Sequence, residues 1–282
     1  MAEVVAGIGV SHIPALGMAM QGDGSGPAAE VFRKFAPVRG WVRELALDTV
    51  IVVYNDHASA FSLELLPTFV IGAAKSYAPA DEGYGARNVP VAQGDGDLSW
   101  HLVDSVIPQG FDLAIAQKLD VDHGLTVPLT VLFGSPPEWP VKVIPIEVNV
   151  VQQPTPSAQR CFDLGRAIGR AVRSFRGSRR VGIVGTGGMS HQLQGRRAGH
   201  INSEFDRMFL SEIVDKPHQL TELSNADYIR EAGSEGAELV MWLAMRGALR
   251  EDVTAVHSAY HVPVSNTAAG MVAIDNSAGT GR

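Results

Sequence analysis

Cysteine is nearly absent. Cys161 stands alone among 282 residues, so no intrachain disulfide can form and a thiolate metal site is excluded. It lies between Arg160 and Phe162 in a helical stretch, where an inert, buried thiol is expected. Long hydrophobic runs are missing too, since none approaches the roughly 20 residues that a membrane span needs. The opening Met1-Ala2-Glu3-Val4-Val5 lacks the basic head and apolar core of a secretory signal. A cytoplasmic protein is therefore expected. Positive charge is in deficit, with 23 basic against 30 acidic residues and a net charge of −7. The pairs Arg179-Arg180 and Arg196-Arg197 are isolated dipeptides, not the basic stripe that nucleic-acid binders carry. Neither nucleic acid nor a membrane is an expected partner.

What is present is an ordinary globular mixture, 45% hydrophobic and 19% charged, on a chain long enough for one large core. Buried strands are expected at Val4–Val10, Thr49–Tyr54, Phe69–Ala73, Phe111–Ala116, Val141–Val148 and Val181–Val184, with closing strands at Tyr260–Val264 and Met271–Ile274. Helices are expected after Pro27, with a restart at Pro37, from an Asp97 cap to Ile107, from a Ser157 cap to Phe175, and from Glu235 to Leu249. Residues 75–96 form a long Gly-, Pro- and Asp-rich excursion, uncommon unless functional. No repeat, low-complexity segment or linker is evident. The expected architecture is α/β: one domain over residues 1–282, a central mixed β-sheet flanked by helices, and the active site at the strand ends. Residues 275–282 are expected to be a frayed tail.

Four of the nine histidines sit where such a sheet gathers ligands. His12 follows the first strand, His57 the second, His123 the turn after Phe111–Ala116, and His191 the turn after Val181–Val184. One histidine at a strand end is commonly a hydrogen-bonded structural residue, whereas four converging polar groups mark a site. A carboxylate is the sharper clue. On a helix from Glu235, Glu238 shares a face with Met241, Trp242 and Met245, and burying it is costly without a cation or partner. Glu235 lies one turn earlier, and periodicity alone does not choose between the two. Two imidazoles and a carboxylate without thiolate fit non-haem Fe(II) oxygen chemistry and equally a hydrolytic zinc.

Five ordered segments then resemble the motifs of the class III extradiol dioxygenases. They are Ser11-His12-Ile13-Pro14, Tyr54-Asn55-Asp56-His57-Ala58, Asp120-Val121-Asp122-His123-Gly124, Gly185-Thr186-Gly187-Gly188-Met189-Ser190-His191 and Gly233-Ser234-Glu235-Gly236-Ala237-Glu238-Leu239. With Pro263-Val264-Ser265-Asn266-Thr267, the likeness spans nearly the whole chain and is nearest to the catalytic β subunits of the protocatechuate-cleaving members. The resemblance implies an Fe(II) cofactor on His12, His57 and Glu238, an acid–base role for His191 and a second active-site role for His123. It implies substrate contacts from Ser265 and Asn266. A catechol and O2 are the implied substrates, and a small α subunit the implied partner, in an assembly of two α and two β chains. Protocatechuate, gallate and methylated gallate all belong to the implied substrate class.

Other patterns carry less. Gly185-Thr186-Gly187-Gly188 invites a dinucleotide reading, but Ser190 stands where the third glycine of that fingerprint belongs. His257 and His261 are four apart, yet Pro263 and nearby β-branched residues oppose a helix there; His257 is expected at the surface and His261 as a structural or rim residue. The loop Pro79-Ala80-Asp81-Glu82-Gly83-Tyr84-Gly85 resembles a family loop near the pocket, with solvent exposure as its plain alternative.

Overall fold

Apolar, β-branched runs become strands here because helices cover them on both sides. A computed structural model describes residues 1–16, 29–263 and 267–277. Its strands are β1 (Glu3–Val10), β2 (Thr49–Tyr54), β3 (Phe69–Gly72), β4 (Ser76–Tyr77), β5 (Ala92–Gln93), β6 (Ala114–Ala116), β7 (Lys142–Val148), β8 (Arg180–Thr186), β9 (Thr254–His261) and β10 (Ala269–Asp275). Eight of these form one mixed sheet in the order β6-β3-β7-β2-β8-β1-β10-β9, and β4 and β5 make a separate pair. The centre, β7-β2-β8-β1, is parallel. Within this sheet the antiparallel pairings are β3 with β7, β1 with β10 and β10 with β9.

The helices are α1 (Ala29–Phe35), α2 (Pro37–Glu44), α3 (Gly96–Val106), α4 (His123–Phe133), α5 (Ala158–Ser174), α6 (Ser203–Asp215), α7 (Pro217–Thr221), α8 (Asn225–Ala232) and α9 (Leu239–Ala248). One face of the sheet packs a core with α3, α5, α6 and α9, the other with α1, α2 and α4. Among the described residues no helix is long and apolar enough to cross a membrane.

Helix α9 packs directly on the sheet, for a reason visible in β1. A Cβ built on Gly9 would strike the indole ring of Trp242. Only glycine lets the fully buried Trp242 press against the strand, and this close seat helps fix where the residues leading into α9 emerge.

Several expected boundaries move. The cap of α3 is Asp95, whose carboxylate accepts the Leu98 N–H and also holds Thr49 Oγ1 and Arg179 Nε; Asp97 lies inside the helix. The closing strand β9 starts at Thr254, well before the expected Tyr260. Helix α4 begins at His123, where only a turn was expected, and accommodates Pro128. Of the expected tail, residues 275–277 are described: Asp275 ends β10 and buried Asn276 donates to Val4 O at 2.6 Å and accepts Arg250 N–H at 2.7 Å. Residues 278–282 and the expected Pro27 helix start lie outside the described residues.

Glu147 near the end of β7 is paired in register with Tyr54, and its Oε2 is buried without a hydrogen-bond partner among the described residues. Burial pushes its carboxyl up to about 8, and the negative charge of Asp56 adds to the effect. An unfolded glutamate titrates near ~4.3. Between those values the folded chain holds a proton that the unfolded chain has released, so stability falls as pH rises through this window and levels off above it. Glu147→Gln removes that titration. In metal-free protein, the stability of the Gln variant relative to wild type is expected to rise by about 2–4 kcal/mol from pH 4.5 to 8. Urea unfolding at both pH values measures it, and parallel pH curves contradict the assignment.

Candidate active site

Strands β2, β8 and β1 are neighbours and parallel, so their carboxyl ends lie side by side, and the chain leaving each delivers one histidine to the same edge. That is the place where open α/β sheets bind ligands.

Each imidazole is fixed by a different local device. His12, two residues past β1, has Nδ1 3.1 Å from Thr186 Oγ1 at the end of β8. After β2 the Asp56 carboxylate accepts the N–H groups of Ser59, Ala60 and Phe61 at 2.9–3.1 Å, with Ala58 at φ 63°. This tight turn presents His57. The His57 backbone N–H and Nδ1 both donate to Asp122 Oδ2, at 2.7 and 2.8 Å. Asp122 also caps α4, accepting the Gly124 N–H at 2.8 Å, so one carboxylate orients His57 and starts the helix whose first residue is His123. In the β8 loop, His191 Nδ1 donates to Met189 O at 2.8 Å. A carbonyl can only accept, so the neutral ring turns an unprotonated Nε2 inward.

Glu238 arrives from the opposite side. The continuous helix expected from Glu235 is instead a 3-10 turn, Ser234–Glu238, followed by α9. Glu238 is therefore the residue before α9, not a member of its apolar stripe. Its Oε2 accepts the Gly188 N–H at 2.6 Å and lies 3.4 Å from His12 Nε2 and 3.8 Å from His191 Nε2, while Oε1 lies 3.7 Å from His57 Nε2. Gly187 makes this possible: its φ is 133°, and a Cβ there would sit 2.7 Å from Glu238 Cβ. Glu235 is turned away, accepting from Leu193 N and Ser234 Oγ. The tertiary structure thus separates the two carboxylates that periodicity leaves equivalent.

His123 stacks on His57, ring centroids 3.9 Å apart, and the candidate ligand atoms of His12, His57 and His123 lie within 4.8 Å of one another. Its Nδ1 is 2.5 Å from Glu82 Oε2. Ser265 and Asn266 lie outside the described residues; the next residue, Thr267, forms a β-bridge with His191. His257 and His261 lie on edge strand β9, with His257 Nε2 2.8 Å from Lys34 O. Three orienting residues were not singled out by the sequence: Asp122, Thr186 and Glu82. The available signal was Asp122, an N-capping residue type directly before His123.

The site is built around positive charge. Burial works against a charged His57, but hydrogen bonds with Asp122 and Glu238 outweigh it and raise its pKa to about 10. Burial likewise opposes ionised Glu238, yet His12, His57 and His191 hold its carboxyl well below the usual range. Burial lowers the pKa of His12, keeping that ring a neutral donor. Two inward Nε2 atoms and a carboxylate, arranged where the protein already favours a cation, fit a divalent metal.

An α/β sheet that gathers histidines able to hold a metal at its parallel strand ends has the arrangement of a metalloenzyme, and sequence comparison specifies which. The family described as the catalytic LigB subunit of aromatic ring-opening dioxygenase matches residues 6–271. The chain belongs to this family, the class III extradiol dioxygenases, whose members are metal-dependent. A gallate dioxygenase of Pseudomonas putida is 41% identical over 184 residues, covering 65% of this chain and 54% of that protein. The chain thus matches about half the length of that relative. A 2,3-dihydroxyphenylpropionate/2,3-dihydroxicinnamic acid 1,2-dioxygenase of Cupriavidus necator is 31% identical over 264 residues, covering 78% and 82%. The crystal structure of an uncharacterized Escherichia coli K12 protein superposes with a TM-score of 0.62 at 13% identity, covering 95% of this chain and 99% of that one; it supports the fold alone.

Proposed function

We propose that the protein opens a carboxylated catechol next to its diol, with Fe(II) held by His12, His57 and Glu238. The substrate we favour is protocatechuate, cleaved at the 4,5-position to 4-carboxy-2-hydroxymuconate semialdehyde. One observation carries the reading. The Glu238 carboxylate lies between two imidazoles, Oε2 3.4 Å from His12 Nε2 and Oε1 3.7 Å from His57 Nε2, with a further imidazole, His191, 3.8 Å from Oε2. Lewis acidity toward the diol and the electrons that activate O2 come from Fe(II) when it is bound.

The protein's own groups do the rest. His191 Nε2 takes a proton from a substrate hydroxyl and returns one to the product side. An imidazole on a rigid turn suits both transfers. His123 hydrogen-bonds the reacting oxygens through Nε2. Buried walls around Glu238 and His12 exclude bulk water and strengthen each of these interactions. Ser265 and Asn266 are assigned to the far substituent of the ring. We further assign a small α subunit as the partner that completes the pocket, in an assembly of two α and two β chains.

Gallate is the second reading, favoured by the 41% identical gallate dioxygenase. Anaerobic reconstitution with Fe(II), then with Zn(II), followed by O2 uptake on protocatechuate, gallate and 3-O-methylgallate, decides among them. Stoichiometric O2 uptake and a yellow ring-fission product only with Fe(II) are expected. Turnover with zinc and without O2 would replace the proposal by a hydrolytic one.

A further inference from the structure

Glu82 lies on a surface loop whose neighbours Asp81, Gly83 and Tyr84 are all exposed, yet its own side chain is only 11% exposed. The loop is built to send it inward. Asp81 Oδ1 accepts the N–H groups of Gly83 and Gly85, both at 2.9 Å, and both glycines have positive φ. The base of the loop is laced to the segment entering α4, with Ala80 N donating to Val121 O and Val121 N to Ala78 O. Two residues after Val121 comes His123.

Both oxygens of Glu82 are used. Oε2 meets His123 Nδ1 at 2.5 Å, and Oε1 accepts from Arg87 Nε at 2.7 Å. Arg87 is itself largely buried. A carboxylate held by a guanidinium on one oxygen can only accept on the other, so it dictates that His123 Nδ1 carries the hydrogen. In the neutral ring Nε2 is then the nitrogen without a hydrogen, and the ring is locked in its stack on His57.

We propose that Glu82, clamped by Arg87, is the positioning residue for His123: it fixes the ring's orientation and tautomer, and so couples the surface loop 79–87 to the active site. An outer hydrogen-bond partner of this kind decides which nitrogen an active-site imidazole presents. The kinetic consequence rests on the functional reading above, whereas the tautomer does not.

The test therefore has two arms. In metal-free protein labelled with 15N-histidine, His123, assigned from the spectrum of His123→Gln, is expected to show a pyrrole-like Nδ1 and a pyridine-like Nε2. In Glu82→Ala the pattern is expected to move toward the Nε2–H tautomer that a free imidazole prefers. Glu82→Gln can satisfy either His123 or Arg87 as an acceptor but not both, so its spectrum is expected to lie between. In the Fe(II) enzyme, Glu82→Ala is expected to lower kcat about 10- to 100-fold with iron content and KM little changed, and Glu82→Gln to recover part of the loss. An unaltered His123 spectrum in Glu82→Ala overturns the inference. If Glu82→Ala does not fold, Arg87→Met and Glu82→Gln carry the same two readouts. A tautomer shift in a protein whose wild type turns over no catechol sinks the functional reading and leaves the positioning role standing.

Discussion

His191→Ala is expected to lower kcat about 100- to 10,000-fold while the purified protein keeps its Fe(II). The reason lies in how the ring is held. Nδ1 is committed to Met189 O, so Nε2 is the one nitrogen able to exchange a proton with substrate, and it already faces the carboxylate side of the site at 3.8 Å. The turn beneath it is pinned independently of the imidazole. Buried Asp206 accepts Ser190 N–H at 2.8 Å, Ser190 Oγ at 2.6 Å and Tyr260 OH at 2.8 Å. The His191 backbone N–H donates to Ala232 O, a bond that alanine keeps. Truncation therefore removes a proton carrier without unmaking the loop. Metal analysis of the variant and added imidazole as a replacement base complete the measurement. If His191→Ala is purified without iron under conditions where wild type is loaded, His191 is a ligand and the acid–base assignment is wrong.

The strand ends that carry the imidazoles were readable because parallel strands buried on both faces are nearly pure apolar sequence, and the first polar residues after Val10, Tyr54 and Thr186 announce the edge. Distance along the chain hides who stands beside whom: the neighbour relation β2-β8-β1 brings together residues 12, 57 and 191 and exists only in the sheet order. Helical periodicity gave a reason for Glu238 that the structure does not uphold. The 3-10 turn breaks the register with Met241 and Trp242, and the carboxylate faces the imidazoles because Gly187 and Gly188 let the β8 loop pass beneath it. Helix α4 was hidden by Gly124 and Pro128, both poor helix formers. A cap at Asp122 and dense packing of the helix in the core outweigh them. The orienting residues were least legible of all. Asp122 is 65 positions from His57 and Glu82 is 41 from His123, and nothing in local pattern links such pairs.

Glu238→Gln is expected to abolish iron binding, weakening it by more than about 100-fold, the upper end of what loss of an outer-sphere partner costs. Glutamine is nearly isosteric, and its side-chain oxygen can still accept the Gly188 N–H, so the metal-free fold is expected to be preserved. Glu238→Ala would instead leave that N–H buried and unpaired, at a cost of about 1–3 kcal/mol, which confuses folding with binding; Gln is the cleaner variant. What Gln removes is charge. A divalent ion would then face imidazoles alone, with Asp122 behind His57 and Glu82 behind His123 as nearby anions. The comparison that gives the result its force is His123→Gln, because His12, His57 and His123 also cluster within 4.8 Å and a three-histidine set would suit zinc. The ring geometry argues against that set. His57 and His123 are stacked at an interplanar angle of 30°, so their in-plane lone pairs run alongside each other instead of converging on one ion. The Glu238 carboxylate, by contrast, sits between His12 and His57 with one oxygen toward each. Titration of metal-free protein with Fe(II) should therefore show binding lost in Glu238→Gln and retained in His123→Gln. The reverse pattern would give the third coordination position to His123 and leave Glu238 as a countercharge.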